Sequence, residues 1–191
     1  EFFYKSKGIR PCLYPSLTPK ELDVLEPLIE NHNFKIVMKN SDFFLHDHES
    51  SLREIDELKI DRIHKLDIDI METIAIEYGG DWTIRVVERH LLHPSYHFLG
   101  GYYKGELATM ASISIFAGYT RIDDVFTRDK FRGKGFAGAM IHHLVNYHSR
   151  ISPNYLYVQS DLPSTIKIYE KAGFTRLPRD FDCWIAHKEN N

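Results

Sequence analysis

The apolar positions of this chain change period along its length, and the changes mark out its elements. Tyr96 to Tyr103 is rich in strand formers. Lys104-Gly105-Glu106 follows as a tight turn. From Leu107 to Phe116 the residues alternate, with Met110, Ser112, Ser114 and Phe116 set against Ala111, Ile113 and Ile115. That is the period of a second strand. After Ala117-Gly118 a third strand is predicted over Tyr119 to Thr127. Three strands with short connections imply an antiparallel meander. The period then lengthens. Phe136, Met140, Ile141, Leu144, Val145 and His148 recur at helical spacing, and Ser152-Pro153 ends that helix. Tyr155 to Val158 reads as a short buried strand. Residues 160–164 supply caps and an early Pro163 for a second helix, which runs through Ile166, Ile168 and Tyr169 to a stop at Gly173. Phe174 to Leu177 and Phe181 to His187 finish the chain as strands.

Upstream, Ile55 to Ile76 carries helical spacing in more than one piece, interrupted by Gly79-Gly80. Trp82 to Leu92 reads as an amphipathic helix ended by Pro94. Residues 1–47 read as a strand (Ile9 to Tyr14), a helix (Pro19 to Asn31) and a strand pair (Phe34 to His46). Shifted by 140 positions, Ile29 to Phe34 lies on Tyr169 to Phe174, and Asp42 to Leu45 lies on Asp182 to Ile185. This is a weak internal repeat of a strand–helix–hairpin unit. Chance similarity between two amphipathic units explains it equally well.

The 191 residues suit one domain with a remainder. With 43% hydrophobic and 27% charged residues the composition is globular, which excludes disorder and a disulfide-held miniprotein. The longest apolar run, Ile113 to Ala117 with Ser114 allowed, is far below the ~20 residues of a membrane span. No signal peptide is visible at Glu1-Phe2-Phe3-Tyr4-Lys5, and the missing Met reads as a fragment or a processed chain. Cys12 and Cys183 stand far apart and read as reduced thiols of a cytoplasmic protein. A net charge of −3 argues against a general nucleic-acid binder. The charge is uneven, with 11 basic and 8 acidic residues over 121–191. That segment is the expected home of an anionic ligand.

Arg132-Gly133-Lys134-Gly135-Phe136-Ala137 stands between a strand and a helix. Glycines there let the backbone turn sharply, and free amides at a helix N-terminus bind phosphate oxygens. Neither a P-loop nor a dinucleotide fingerprint is present. The stretch resembles the pyrophosphate loop Gln/Arg-x-x-Gly-x-Gly/Ala of the GNAT superfamily of acetyl-coenzyme A-dependent N-acetyltransferases. Ile168-Tyr169-Glu170-Lys171-Ala172-Gly173-Phe174 is similar to that family's Tyr-Glu-Lys-x-Gly-Phe helix end. The resemblance covers about residues 50–191.

It implies an α+β fold with a mixed, mostly antiparallel sheet flanked by helices. It would comprise a transferase domain over 48–191, with 1–47 as an extension or degenerate half repeat. It also implies acetyl-coenzyme A as co-substrate, with no metal. Backbone groups of Val125, Phe126 and Thr127 would pair with the pantetheine arm, and the amides from Arg132 through Gly133, Lys134, Gly135 and Phe136 to Ala137 would hold the pyrophosphate. Tyr169 would protonate the leaving thiolate. The family's frequent Asn seven residues before that Tyr is Leu162 here, and Ser160 is the nearby polar candidate.

An attacking amine must first lose a proton, so a carboxylate near the acetyl position is wanted. Asp123 and Asp124 are adjacent in the third strand, where neighbours point to opposite faces, so one of them should serve, and Asp124 is preferred. A backbone N–H of that strand would steady the oxyanion. His90, His93 and His97, with Trp82, Tyr96, Tyr102 and Tyr103, are candidates for the acceptor pocket walls. His46-Asp47-His48-Glu49 reads as a polar loop, not a metal site. The acceptor is read as a small amine before a peptide amine, with no nucleic acid or membrane partner and a homodimer among the allowed assemblies. The competing class is a non-catalytic acyl-coenzyme A-binding module.

Overall fold

The computed structural model describes residues 12–13, 16–39, 42–78, 80, 82–178 and 182–188, with the backbone alone at 16–17, 19, 37–39 and 182–184. The chain forms two compact units, Phe43–Arg176 and a second made of Glu1–Asp42 with Leu177–Asn191.

The larger unit is built on a sheet of seven strands. In chain order the strands are β4 (Asp42–His46), β5 (Leu58–Ile63), β6 (Tyr96–Tyr103), β7 (Glu106–Ile115), β8 (Tyr119–Thr127), β9 (Tyr155–Ser160) and β10 (Phe174–Arg176). Their spatial order is β10-β4-β9-β8-β7-β6-β5. The meander β5 to β8 is antiparallel, while β8 and β9 run parallel across the crossover. The mixed, mostly antiparallel sheet expected from the sequence is therefore present. Lys104 (φ 52°) and Gly105 (φ 85°) form the two-residue loop between β6 and β7, with both central residues left-handed as such hairpins require.

Alternation places the core. On one face Ala111, Ile113 and Ile122 meet Met140, Ile141, Leu144 and Val145 of helix α4 (Phe136–Ile151), with Tyr169 of α5 (Pro163–Lys171) and Ala172 just after it. On the other face Phe98, Met110 and Phe126 meet Ile70 and Ile74 of α2 (Ile68–Tyr78) and Val87 of α3 (Trp82–Leu91). Arg128 ties α2 to this sheet. Its guanidinium donates to the Asp69 carboxylate (2.6 Å), Thr73 Oγ1 and the Leu107 carbonyl.

Two sequence expectations are corrected. Residues 55–66 were expected to be helical, but Leu58–Ile63 is the edge strand β5, with Leu58 and Ile63 buried against β6. A short segment whose apolar residues lie two and three apart satisfies either period, and the open edge of β6 decided the outcome. The strand pairs 34–46 and 174–187 are not hairpins. β4 pairs with β10, whereas β3 (Phe34–Lys39) pairs with β11 (Asp182–Lys188). Each pair sends one strand to each unit.

In the smaller unit β11 also pairs with β1 (Cys12–Leu13) and β2 (Ser16–Leu17). The expected strand at Ile9 to Tyr14 is described only at Cys12–Leu13; its other residues lie outside the described set, as do Gly79 and Phe181. Helix α1 (Pro19–Asn31) opens with a capping box between Thr18 and Glu21 and buries Leu22 with Ala186. Its end matches that of α5. Asn33 (φ 58°) and Gly173 (φ 92°), 140 positions apart, are both left-handed. Their amides donate to Glu30 O and Glu170 O, and Phe34 and Phe174 open the next strands.

Candidate active site

The site arises where β8 and β9 part. Their parallel register ends at Ile122 and Val158, although β8 continues to Thr127 and β9 to Ser160. The cause is a bulge in β8. Met110 faces Phe126 and Ser112 faces Asp123, so Asp124 and Val125 together oppose Ala111. Asp124 takes φ 56°, a left-handed conformation unusual for a non-glycine residue in a strand.

A cavity of about 770 Å3 opens at this split. Its walls run from Val125, Phe126 and Thr127 over the glycine loop to Thr165, Ile168 and Tyr169 of α5. Gly133 (φ 76°) and Gly135 (φ 83°) turn the loop where a side chain would be strained. Gly135 is the N-cap of α4 and offers no capping side chain. The first bond of that helix is Ala139 N to Gly135 O, so the amides of Phe136, Ala137 and Gly138 have no intrahelical acceptor. They form a cradle of donors at the positive end of a 16-residue helix. Arg132 lines the cavity, with its Nε on Thr127 O (3.0 Å) and its terminal nitrogen on Asp129 (2.9 Å).

Most of the residues singled out from sequence meet in this cavity: Val125, Phe126, Thr127, Arg132, Gly133, Gly135, Phe136, Ala137 and Tyr169 all line it. Lys134 and Ser160 do not. The Lys134 ammonium lies over the rings of Phe131 (5.3 Å) and Tyr103 (5.6 Å). Ser160 Oγ accepts from Leu162 N (3.2 Å), ahead of α5, and Leu162, Ser164 and Thr165 face the cavity instead. Val125 has no register partner on β7, while Phe126 O already accepts from Thr109 Oγ1 (2.7 Å). Tyr169 is 3% exposed and packs on Phe44 and Phe174. Burial, then the charge of Asp123, pushes its phenol well above the ordinary value, so it stays protonated at neutral pH.

A second cavity of about 220 Å3 lies on the far side of the bulge, walled by Tyr78 of α2, by Trp82, Val86 and His90 of α3, and by Tyr96, Ser114, Arg121, Asp123 and Asp124 of the sheet. Both aspartates line it, which corrects the expectation that they would face apart. The left-handed turn at Asp124 breaks the alternation. Asp123 pairs with Arg121 (2.6 Å), and burial pushes its carboxyl upward. Asp124 is the hub of a hydroxyl network. Its Oδ1 accepts from Tyr78 (2.6 Å), and its Oδ2 accepts from Ser112 (2.6 Å) and Tyr96 (3.0 Å). Burial and the carboxylate hold both phenols in their protonated form.

Of the other pocket candidates, Trp82, Tyr96 and His90 are at the wall. His93 and His97 are not. His93 Nδ1 accepts from Ser95 N, and His97 bonds Tyr147 Oη (2.7 Å) and Pro94 O. Tyr102 and Tyr103 pack into the core clusters. Sequence reading missed Tyr78, Ser112 and Glu77 as site residues, and also Leu52, Arg53 and Ile55, which line the larger cavity from an irregular segment, although Ile55 reads from sequence as helical. No cluster of metal ligands occurs among the described residues, and none of their helices is long and apolar enough to cross a membrane.

The family model "Acetyltransferase (GNAT) family" matches residues 66–174. Among solved structures, the chain is similar to a GCN5-related N-acetyltransferase from Kribbella flavida at 11% identity and a TM-score of 0.65, covering 100% of this chain and 72% of that one. An acetyltransferase of the GNAT family from Colwellia psychrerythraea is 17% identical over 95% of this chain and 66% of its own, with a TM-score of 0.60. A tandem GNAT protein from the clavulanic acid biosynthesis pathway gives 12% identity, 100% and 68% coverage, and a TM-score of 0.64. At these identities the likeness is one of fold. No curated protein matches the chain.

Proposed function

The chain belongs to the GNAT acetyltransferase family, whose members move an acyl group from an acyl-coenzyme A to an amine, and from that premise we propose that it transfers acetyl from acetyl-coenzyme A to a small primary amine within one ternary complex. The observation that carries the reading is the bulge at Asp124 and Val125. Val125 lines the cavity that leads to the helix N-terminus and Tyr169, and Asp124, the next residue, lines the smaller cavity.

In this reading the amides at Gly133 to Gly138 hold the pyrophosphate of the co-substrate, and the edge of β8 at Val125 receives the pantetheine arm. The acceptor nitrogen lies at Asp124. A carboxylate has about four lone-pair positions. Three are filled by Tyr78, Tyr96 and Ser112, which leaves one for an ammonium N–H. The amine arrives protonated, since alkyl ammonium groups titrate near ~10.4, and it gives its proton to this carboxylate or through it to water. The free amine attacks the thioester carbonyl. The C–N bond forms, the C–S bond breaks, and the Tyr169 phenol protonates the departing thiolate and recovers the proton released from nitrogen. Proximity supplies most of the rate. The expected transferase domain of 48–191 is here taken as the unit Phe43–Arg176, which lines both cavities, and the other unit, Glu1–Asp42 with Leu177–Asn191, as part of a degenerate sister module that holds no cofactor.

The test is thiol release from acetyl-coenzyme A over a panel of amines, in wild type and Tyr169→Phe. Loss of the proton donor lowers kcat by about 10²–10⁴-fold, with coenzyme A affinity kept. Tight coenzyme A binding without thiol release on any amine would reverse the reading in favour of a binding module.

A further inference from the structure

The smaller cavity narrows the acceptor class. Its fixed charges are two carboxylates and one guanidinium. Arg121 is committed to Asp123 through Nε at 2.6 Å, so that pair is neutral toward a ligand. Asp124 is held only by neutral hydroxyls, which leave its charge uncompensated. The cavity therefore balances one positive charge. Its one guanidinium, Arg121, is engaged by Asp123 and lies over the Phe116 ring, its imidazole, His90, packs on Tyr96, and no second free anion stands ready for another ammonium.

The rest of the wall sets the apolar side chains of Trp82, Val86 and Val87 beside the smaller polar ones of Thr83 and Ser114. Trp82 is 63% exposed and Val86 39% exposed, side by side on one face of α3. The hydroxyls of Tyr78 and Tyr96 donate to Asp124, so neither has an O–H left to donate to a ligand carboxylate. The volume of about 220 Å3 corresponds to roughly seven waters at their liquid volume of about 30 Å3 each. That is room for a compact body against the wall.

We propose that the acceptor is a primary monoamine lacking a carboxylate, with its single ammonium on Asp124 and a compact apolar or aromatic body against Trp82 and Val86. The inference rests on the acyl-transfer reading above. An amino acid of the same side chain would bring its carboxylate against Asp123, whose own charge already engages Arg121 and repels a second anion. A diamine would press its second ammonium on Trp82 and Val86 without a counter-charge.

Thiol release from acetyl-coenzyme A, measured on matched pairs, tests this. The pairs are phenethylamine against phenylalanine and 3-methylbutylamine against leucine, with phenylalanine amide and putrescine alongside. An unpaired charge in such a site lowers kcat/KM on the order of 10- to 100-fold, so each amine should exceed its amino acid by that factor. The amide, with the charge removed and the bulk kept, should recover most of the loss, and putrescine should trail 3-methylbutylamine. Trp82→Ala should raise KM for phenethylamine several-fold and leave that for ethylamine nearly unchanged. Equal turnover of amine and amino acid, or a Trp82→Ala effect of the same size on both amines, would overturn the proposal and leave acyl transfer standing. No turnover on any of these amines, with coenzyme A still binding, would sink both.

Discussion

Gly105 and Gly135 form a matched pair for testing the glycine loop. Their φ angles are 85° and 83°, so alanine meets the same backbone penalty at each, about 1–2 kcal/mol. Neither site adds a clash. Nothing lies within 4 Å of a Cβ at Gly105, and the nearest atom at Gly135 is Ile55 Cδ1 at 3.5 Å, an ordinary contact. The surroundings decide where the penalty appears. Gly105 sits in a two-residue loop clamped by Tyr103 opposite Glu106, so the strain stays in the folded state. Gly105→Ala should lower Tm by about 2–8 °C and leave coenzyme A affinity alone. Gly135 ends an open loop that can relax in the free protein. In the proposed reading, binding restores the φ that aims the amides of Phe136 to Gly138 at the phosphates, so the penalty moves into affinity. Gly135→Ala should therefore lose less Tm than Gly105→Ala but bind coenzyme A about 5- to 30-fold more weakly, since 1.4 kcal/mol is tenfold. Calorimetric titration with coenzyme A and thermal melts of both variants suffice. Wild-type affinity in Gly135→Ala would refute the assignment of this loop to the pyrophosphate.

Three further outcomes concern stability. His46, His97, His143 and His148 all have pKa values lowered chiefly by burial, so the folded chain holds fewer protons than the unfolded one, whose imidazoles titrate at 6.5. Their contribution is present above that pH and lost as pH falls below it; urea midpoints at pH 7.5 and 5.5 should show the drop, and His148→Leu should flatten it. Arg128→Met strands the acceptors on Asp69, Thr73 and Leu107 and should cost about 1.5–3 kcal/mol in urea unfolding. Gly173→Ala combines a φ of 92° with a Cβ that would fall 2.1 Å from His48 O; about 2–5 kcal/mol of destabilisation is expected, and a near-neutral result would mean that the turn before β10 is not held as described.

Much of the larger unit is readable from local pattern. Helices α3 and α4 announce themselves because each buries one face, from which the period of 3.6 follows, while β6 and β7, buried on both faces, are marked by strand formers between turns. The glycine loop is readable because a positive φ demands glycine. Tyr169 was found through its motif, since its ring is as buried as any core tyrosine and nothing local sets it apart. The loop residues Leu52 and Arg53 left no trace, because a segment without regular structure has no period to detect, and Ile55 reads as the start of a helical pattern that the structure does not form. Tyr78 and Ser112 were invisible as site residues for another reason. A hydroxyl becomes a carboxylate ligand only through its spatial neighbour, and Asp124 is 46 positions from the first and 12 from the second.

The order of residues along the chain was enough to mark most of the elements, the acidic N-terminal and basic C-terminal stretches, the glycine-rich helix start at 132–137 and the likeness between the ends of α1 and α5. These are properties of short stretches, governed by sterics and periodicity within a few residues. The tertiary structure decided which strands meet. β4 and β10 close the larger sheet while β3 and β11 join the smaller one, because an edge strand takes whichever partner tertiary packing presents to its unpaired amides. It also decided that Asp123 and Asp124 share a cavity. Alternation would part them, but one extra residue opposite Ala111 rotates the backbone through φ 56° and turns two neighbours toward the same space. A bulge is a mismatch between two strands, so it exists only once both are in place.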